Sequence, residues 1–321
     1  MAPTDGTERA PTTGAPAGDE GRTIVVNPKS GGEDHVARVT MLGRERGFDV
    51  RRSEREGHAA ELAREAAAAG ADLVAAAGGD GTVNEVVNGL LAADALDRTA
   101  LGVIPAGTGN NFATNVGIEG VDHAFEVIEG GERRDVDLGV TNERAFVNSC
   151  VGGVTAEASG ATSPESKSQF GVLAYVKATL ERVSEFDSIP LRVETRGDGA
   201  DPWEGEAVFV LVGNCRRFTT ARAAQANVED GLFEVTIVER ANAIDLVGEA
   251  ALEATVGRQA ENIVRRRAPS VTVEHRGDGA VEYSLDGEML AAPRLSMATR
   301  PGALTVAVGE GYDPDPDAAD G

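Results

Sequence analysis

The chain has 321 residues, 41% of them hydrophobic but only 4% aromatic, and a formal charge of −23 from 53 acidic against 30 basic residues. That negative balance argues against general nucleic-acid binding, and no apolar run reaches the roughly 18 residues that a membrane-spanning helix needs. The two cysteines, Cys150 and Cys215, give no disulfide framework, so a reducing cytoplasm is the default location. The acids are spread along the whole chain, and lysine occurs only at Lys29, Lys167 and Lys177. A salt-rich, halophilic cytoplasm, where screening makes dense carboxylate tolerable, fits this pattern. Acidic tails are the other source of the count.

Residues 1–21 are rich in Pro, Gly, Thr and Ala without periodicity; they read as a disordered tail with no apolar secretory segment. Residues 22–26, RTIVV, read as a β-branched strand. The loop Asn27-Pro28-Lys29-Ser30-Gly31-Gly32 follows, at the place where α/β sheets hold ligands. It offers an amide, an ammonium, a hydroxyl and free N–H groups, all donors to phosphate oxygens, although an ordinary turn has the same composition. A helix follows through Val36, Val39 and Leu42, then a strand at 48–52 and a loop beginning at Ser53. The alanine-rich stretch 59–69 reads as a helix closed by Gly70. His35, His58, His123 and His275 have no metal-ligand spacing.

The stretch 73–91, LVAAAGGDGTVNEVVNGLL, is the centre of the chain. Five apolar residues predict a buried strand, and apolar positions 83, 86, 87, 90 and 91 have helical spacing. Between them lies the turn Gly78-Gly79-Asp80-Gly81-Thr82. Glycines and a helix N-terminus there suit an anion. Asp80 suits either a divalent cation or a helix cap. A further strand at 100–105 ends in Ala106-Gly107-Thr108-Gly109-Asn110-Asn111. Three successive strands thus end in Gly-bearing polar loops, which a parallel sheet brings to one edge as a phosphate-binding rim. None has the spacing of a Walker loop or of a dinucleotide fingerprint.

From about residue 130 the pattern changes to alternating strands, expected at 134–140, 144–150, 189–195, 206–213, 233–238, 270–274, 281–285 and 303–308. Helices are expected at 172–183 and about 243–256. Two stretches there carry candidate chemistry. Asn227, Asp230 and Leu232 lie around an Asp-Gly turn that also suits a hard cation. Asp286-Gly287-Glu288 places two carboxylates at a strand end, fit for a base beside a hydroxyl nucleophile, or for a plain hairpin turn. The fold expected is α/β plus β: a Rossmann-like nucleotide-binding domain at 22–133 and a mostly antiparallel β-sandwich at 134–308, with the active site in the cleft. Residues 309–321 read as a disordered acidic tail.

Together NPKSGG (27–32), GGDGTVNEVVNGL (78–90), VIPAGTGNNFA (103–113), DGLFEV (230–235) and SLDGE (284–288) resemble the diacylglycerol kinase catalytic-domain superfamily, in particular prokaryotic lipid kinases of the YegS/DgkB type. The resemblance implies Mg²⁺- and ATP-dependent phosphorylation of a lipid hydroxyl at the membrane surface, by a protein making transient peripheral contact. It implies nucleotide contacts from Asn27, Pro28, Lys29, Ser30, Gly31, Ser53, Gly79, Asp80, Gly81, Thr82, Val83, Asn84, Glu85 and Thr108. It makes Asp80 the residue that places the catalytic Mg²⁺, Glu288 the general base with Asp286 beside it, and Asn227, Asp230 and Leu232 a structural Mg²⁺ site. Asn111 stands where the family often has Asp, and Cys215-Arg216-Arg217-Phe218-Thr219-Thr220 where it usually carries glycines. The acceptor lipid and a homodimer stay open. An NAD kinase, which also uses a GGDG turn, and a non-catalytic nucleotide-binding regulator are the alternatives.

Overall fold

The computed structural model describes residues 21–31, 34–142, 144–153, 188–216, 225–239 and 263–316. The first part alternates strand and helix: β1 (Arg22–Val26), α1 (Asp34–Glu45), β2 (Asp49–Arg52), α2 (His58–Ala68), β3 (Leu73–Gly78), α3 (Asp80–Ala92), β4 (Ala100–Pro105), α4 (Asn111–Asn115) and α5 (Val121–Gly130). The strands run parallel in the order β4-β3-β1-β2. Every residue of β3 is buried, as expected for a strand covered by helices on both faces. Its run of alanines keeps those helices close, and α2 and α3 touch where a Cβ on Gly89 would lie 2.3 Å from the Ala60 carbonyl oxygen.

The remaining described strands are β5 (Glu132–Val140), β6 (Ala145–Phe146), β7 (Ser149–Gly152), β8 (Ile189–Arg196), β9 (Trp203–Gly213), β10 (Phe233–Glu239), β11 (Ile263–Ala268), β12 (Ser270–His275), β13 (Val281–Leu285), β14 (Glu288–Ala292) and β15 (Arg294–Val308). All pair antiparallel among themselves. The alternating burial of β8, β12 and β13 puts one face of each on a second core around Phe146, Phe233 and Tyr283. The fold is thus an N-terminal parallel α/β region followed by a largely antiparallel β region.

β15 joins the two. Its first residues pair with β12; its last pair antiparallel with β5 and, at Val306, parallel with Leu101 of β4. The register shifts between Arg300 and Leu304, where Gly302 has φ +57 and hands its N–H to buried Asp137 at 2.9 Å. The sequence shows only the second half of this strand because Pro301-Gly302 reads as a break. It misses β11, whose Arg265-Arg266-Arg267 run masks the pairing with β10, and β14. The stretch expected as one strand at 144–150 splits into β6 and β7, since the N–H groups of Val147 and Asn148 leave the ladder for Asp286. The expected helices at 172–183 and 243–256 lie outside the described residues.

The acidic C-terminal stretch also differs from expectation up to residue 316. Gly309 donates to the Val116 carbonyl at 2.9 Å, Gln225 donates to the Asp313 carbonyl at 2.8 Å, and the Tyr312 hydroxyl donates to Glu229 at 2.7 Å. Glu229 is held below the usual carboxylate range chiefly by its pairing with Arg134, so Tyr312 donates to a charged acceptor. Replacing Tyr312 by Phe should lower stability by about 1.5–3 kcal/mol in urea unfolding, the range of a hydrogen bond to a charged group.

Candidate active site

The three glycine-bearing loops meet at the carboxyl ends of the adjacent strands β1, β3 and β4. Asn27 Nδ2 donates to Thr82 Oγ1 at 3.1 Å, and the Ser30 and Thr82 hydroxyls lie 3.5 Å apart. Lys29 N–H donates to Asn27 Oδ1 at 3.0 Å, which turns the first loop and leaves the Lys29 side chain exposed. The loops touch backbone to backbone. A Cβ on Gly107 would lie 2.4 Å from Gly79 Cα, and one on Gly31, at φ +58, 2.6 Å from the Ala106 carbonyl oxygen. Gly81 is exposed, with nothing within 4 Å of where its Cβ would be, so the first turn of α3 opens onto free space. Thr108 is exposed on the same rim, and buried Ser53 stands beside it at the end of β2, donating its N–H to Val26.

Asp80 caps a helix, but not its own. Its Oδ2 accepts from the Asn111 N–H and Nδ2, both at 3.0 Å, and its Oδ1 from the Phe112 N–H at 2.9 Å, which closes the start of α4. The fourth donor, Asn148 Nδ2, stands at 3.4 Å and is the loosest. Three residues expected at the nucleotide have side chains with partners inside the protein. Val83 is core; Asn84 Nδ2 donates to Asp286 and to the Ala145 carbonyl; Glu85 accepts from the Ala59 N–H and so caps α2. The apolar spacing of α3 foretold the position of Val83, but the targets of Asn84 and Glu85 are distant in sequence.

Asp286 and Gly287, with φ of +49 and +103, form the two-residue turn of the β13–β14 hairpin. The Asp286 carboxylate lies in a cradle of four donors: the N–H groups of Val147 at 2.6 Å, Asn148 at 3.0 Å and Ser149 at 2.8 Å, and Asn84 Nδ2 at 3.0 Å. Burial pushes its carboxyl up to about 6, against the pull of these donors toward the charged form. Both oxygens accept from these donors, and the carboxylate thereby ties α3 to the β region. Glu288 opens β14 opposite Leu285 and is partly exposed, and its carboxylate makes no hydrogen bond or ion pair with any described residue. One rigid turn therefore carries a spent carboxylate and, two residues on, an unspent one.

Asn148 links the two carboxylates, with its side chain on Asp80 and its backbone on Asp286. Sequence reasoning missed it, and also Asn214, whose Nδ2 donates to the carbonyls of Asp137 and Val147. The signal available was a polar residue inside otherwise apolar runs, FVNSCV and LVGNC. Asn148 Oδ1, Ser149 Oγ and Asn214 Oδ1 are buried here and have no partner among the described residues.

The structure brings Asn227, Asp230 and Leu232 into one loop, in which the side-chain oxygens of Asn227 and Asp230 accept from protein donors. Asp230 Oδ1 accepts from the Leu232 N–H at 2.8 Å, and its Oδ2 pairs with Arg267, which also bonds Glu234 at 3.0 Å. The Asn227 Oδ1 accepts from Glu229 N–H, and the Gly231 carbonyl accepts from Thr299. A guanidinium already supplies the positive charge in this loop.

Comparison with known proteins bears on both halves. Residues 22–141 match the family model described as the diacylglycerol kinase catalytic domain, and residues 148–308 that of the YegS C-terminal NAD kinase beta sandwich-like domain. A Pseudomonas aeruginosa protein named "Probable lipid kinase YegS-like" is 33% identical over 289 residues, covering 88% of this chain and 92% of that protein. The Escherichia coli protein named "Lipid kinase YegS" is 30% identical over 292 residues, covering 88% and 93%. Two solved chains from Bacillus anthracis superpose with TM-scores of 0.76 and 0.68 at 24% and 22% identity, covering 95% and 92% of this chain and 100% and 98% of theirs. The second is titled a diacylglycerol kinase, and at that identity the likeness concerns the fold.

Two measurements test the site as built. Asp286→Asn turns an acceptor of four hydrogen bonds into a mixed donor and acceptor and strands buried N–H groups; urea unfolding should show a loss of about 2–4 kcal/mol. Because Arg267 already serves the Asp230 loop, the thermal midpoint should be the same in EDTA as in MgCl₂. A clear drop in EDTA would show that the loop depends on a metal.

Proposed function

Since the chain belongs to the diacylglycerol kinase catalytic-domain family of YegS-like lipid kinases, we propose that it transfers the γ-phosphate of ATP to a hydroxyl of a diacylglycerol-like lipid, with Glu288 as the general base. The observation that supports this reading is the link Asp80–Asn148–Asp286, which connects the glycine-lined rim to the turn that precedes Glu288. The rim supplies what a triphosphate needs: backbone N–H groups, the hydroxyls of Ser30 and Thr108, and Lys29. The open first turn of α3 adds the positive end of a helix dipole.

Phosphoryl transfer asks the protein mainly for position and charge. The donor set here suits a hard cation: Asp80 Oδ1 has one short donor and one loose one, and the neighbouring Asn148 Oδ1 is buried and unspent. Asp80 and Asn148 would hold the Mg²⁺ of the nucleotide, which when bound neutralises phosphate charge. Asp286 fixes the hairpin, and Glu288 takes the acceptor proton as the lipid oxygen bonds to the γ-phosphorus. The bond from that phosphorus to the β–γ bridging oxygen breaks, and its electron pair leaves with ADP.

No helix among the described residues is long and apolar enough to cross a membrane. With a net charge of −23 the chain is repelled by anionic lipid at low ionic strength. Contact with lipid is therefore brief in this reading, and high salt relaxes the repulsion. The same charge density gives the proposal of a halophilic host, in which unfolding midpoints rise from about 0.1 M to about 2 M KCl.

The direct test is incubation with γ-labelled ATP, Mg²⁺ and a lipid extract, with the labelled products identified by mass spectrometry. Glu288→Gln should lower turnover by about 10²–10⁴-fold, the range for loss of a general base, while nucleotide affinity and the thermal midpoint stay as in the parent. Full turnover in this variant would remove Glu288 from the chemistry.

A further inference from the structure

The β region carries a further cation, Arg216, within the field of Asp80 and Asp286. After β9 the chain folds back so tightly that a Cβ on Gly213 would lie 1.6 Å from the Arg216 carbonyl oxygen. The N–H groups of Asn214 and Cys215 both donate to the Asn148 carbonyl, at 2.9 and 3.1 Å. Asn115, from α4, donates to the Cys215 carbonyl at 3.2 Å, and Arg216 bridges to Gln225. The Arg216 backbone is thus fixed both to Asn148, whose side chain reaches Asp80, and to the helix that Asp80 caps.

Arg216 is only 9% exposed, yet its side chain makes no hydrogen bond or ion pair with any described residue. The acidic charges it feels are those of Asp80 and Asp286, but the oxygens of both accept from other donors. A guanidinium stays charged and carries five N–H donors in a planar fork. Burial outweighs the two carboxylates and holds its pKa below the ordinary value, so the neighbours do not fully offset the cost of placing it there. Five unspent donors on a rigid mount beside the rim are complementary to an anion with several oxygens.

We propose that Arg216 contacts the γ-phosphate of the bound nucleotide, as a cation that the β region supplies to the phosphate held by the rim. The proposal rests on the kinase reading and adds a residue to it. In the transfer step the lipid oxygen bonds to the γ-phosphorus, its proton goes to Glu288, and the bond to the β–γ bridging oxygen breaks with its electrons leaving on ADP. Arg216 N–H groups stabilise the oxygens around that phosphorus as charge shifts toward the leaving group. A role confined to balancing Asp80 and Asp286 would leave Arg216 indifferent to whether the nucleotide carries a third phosphate.

Calorimetry with Mg²⁺ and either ADP or a non-hydrolysable ATP analogue separates these roles. In Arg216→Gln the Kd for the ATP analogue should rise about tenfold or more, as for loss of a charge-assisted contact, while that for ADP stays within about twofold. Arg216→Lys, which keeps the charge without the fork, should fall between, and serves if the glutamine variant does not fold. Millimolar guanidinium should partly restore affinity for the ATP analogue to Arg216→Ala. Equal weakening of both nucleotides, or none, overturns the role of Arg216. A parent protein that binds neither nucleotide overturns the kinase reading itself, and the proposal with it.

Discussion

The cradle around Asp286 is the constraint on which the rest of the site depends. One carboxylate accepts three backbone N–H groups from the turn between β6 and β7 and one amide from α3. It thereby fixes the hairpin turn, breaks a would-be strand in two, and ties the parallel region to the antiparallel one. Each consequence follows from satisfying buried donors, which a fold can rarely leave unpaired. Asp80 does the same work on a smaller scale at α4. Both conspicuous aspartates are therefore held in place by donors, whereas the Glu288 carboxylate has no partner among the described residues.

Local features of this site were legible in the sequence. Glycines at strand ends mark where loops approach within van der Waals contact, and the gap between Gly79 and Gly107 shows why side chains are excluded. The apolar spacing of α3 and the Asp-Gly hairpin turn also follow from neighbouring residues alone. What was hidden depends on partners far apart along the chain. Asn84 and Asp286 are 202 positions apart, and Asp80 caps a helix 31 positions downstream. A motif shows that a polar residue sits near a site, but not which atom it serves. So Val83, Asn84 and Glu85, which the resemblance puts at the nucleotide, have side chains that reach the core, the β region and α2.

The Asp230 loop shows the same limit with opposite effect. Its residues stand where the resemblance puts a metal, and the pattern DGLFEV is intact. The decisive residue is Arg267, on β11, a strand whose charged appearance hid its pairing with β10. The charge partner of this acidic loop is set by the strand that the sheet brings alongside it.

The long β15 has a consequence for how the molecule comes into being. Its last residues lie beside β4 and β5, so the edge of the parallel sheet is completed by the final part of the folded chain. A ribosome making this protein from the amino end exposes the strand edge of β4 until nearly the whole polypeptide has emerged. The phosphate rim borders that edge. The parallel sheet is thus finished only when the antiparallel region has been synthesised, and truncated products of translation leave its β4 edge open.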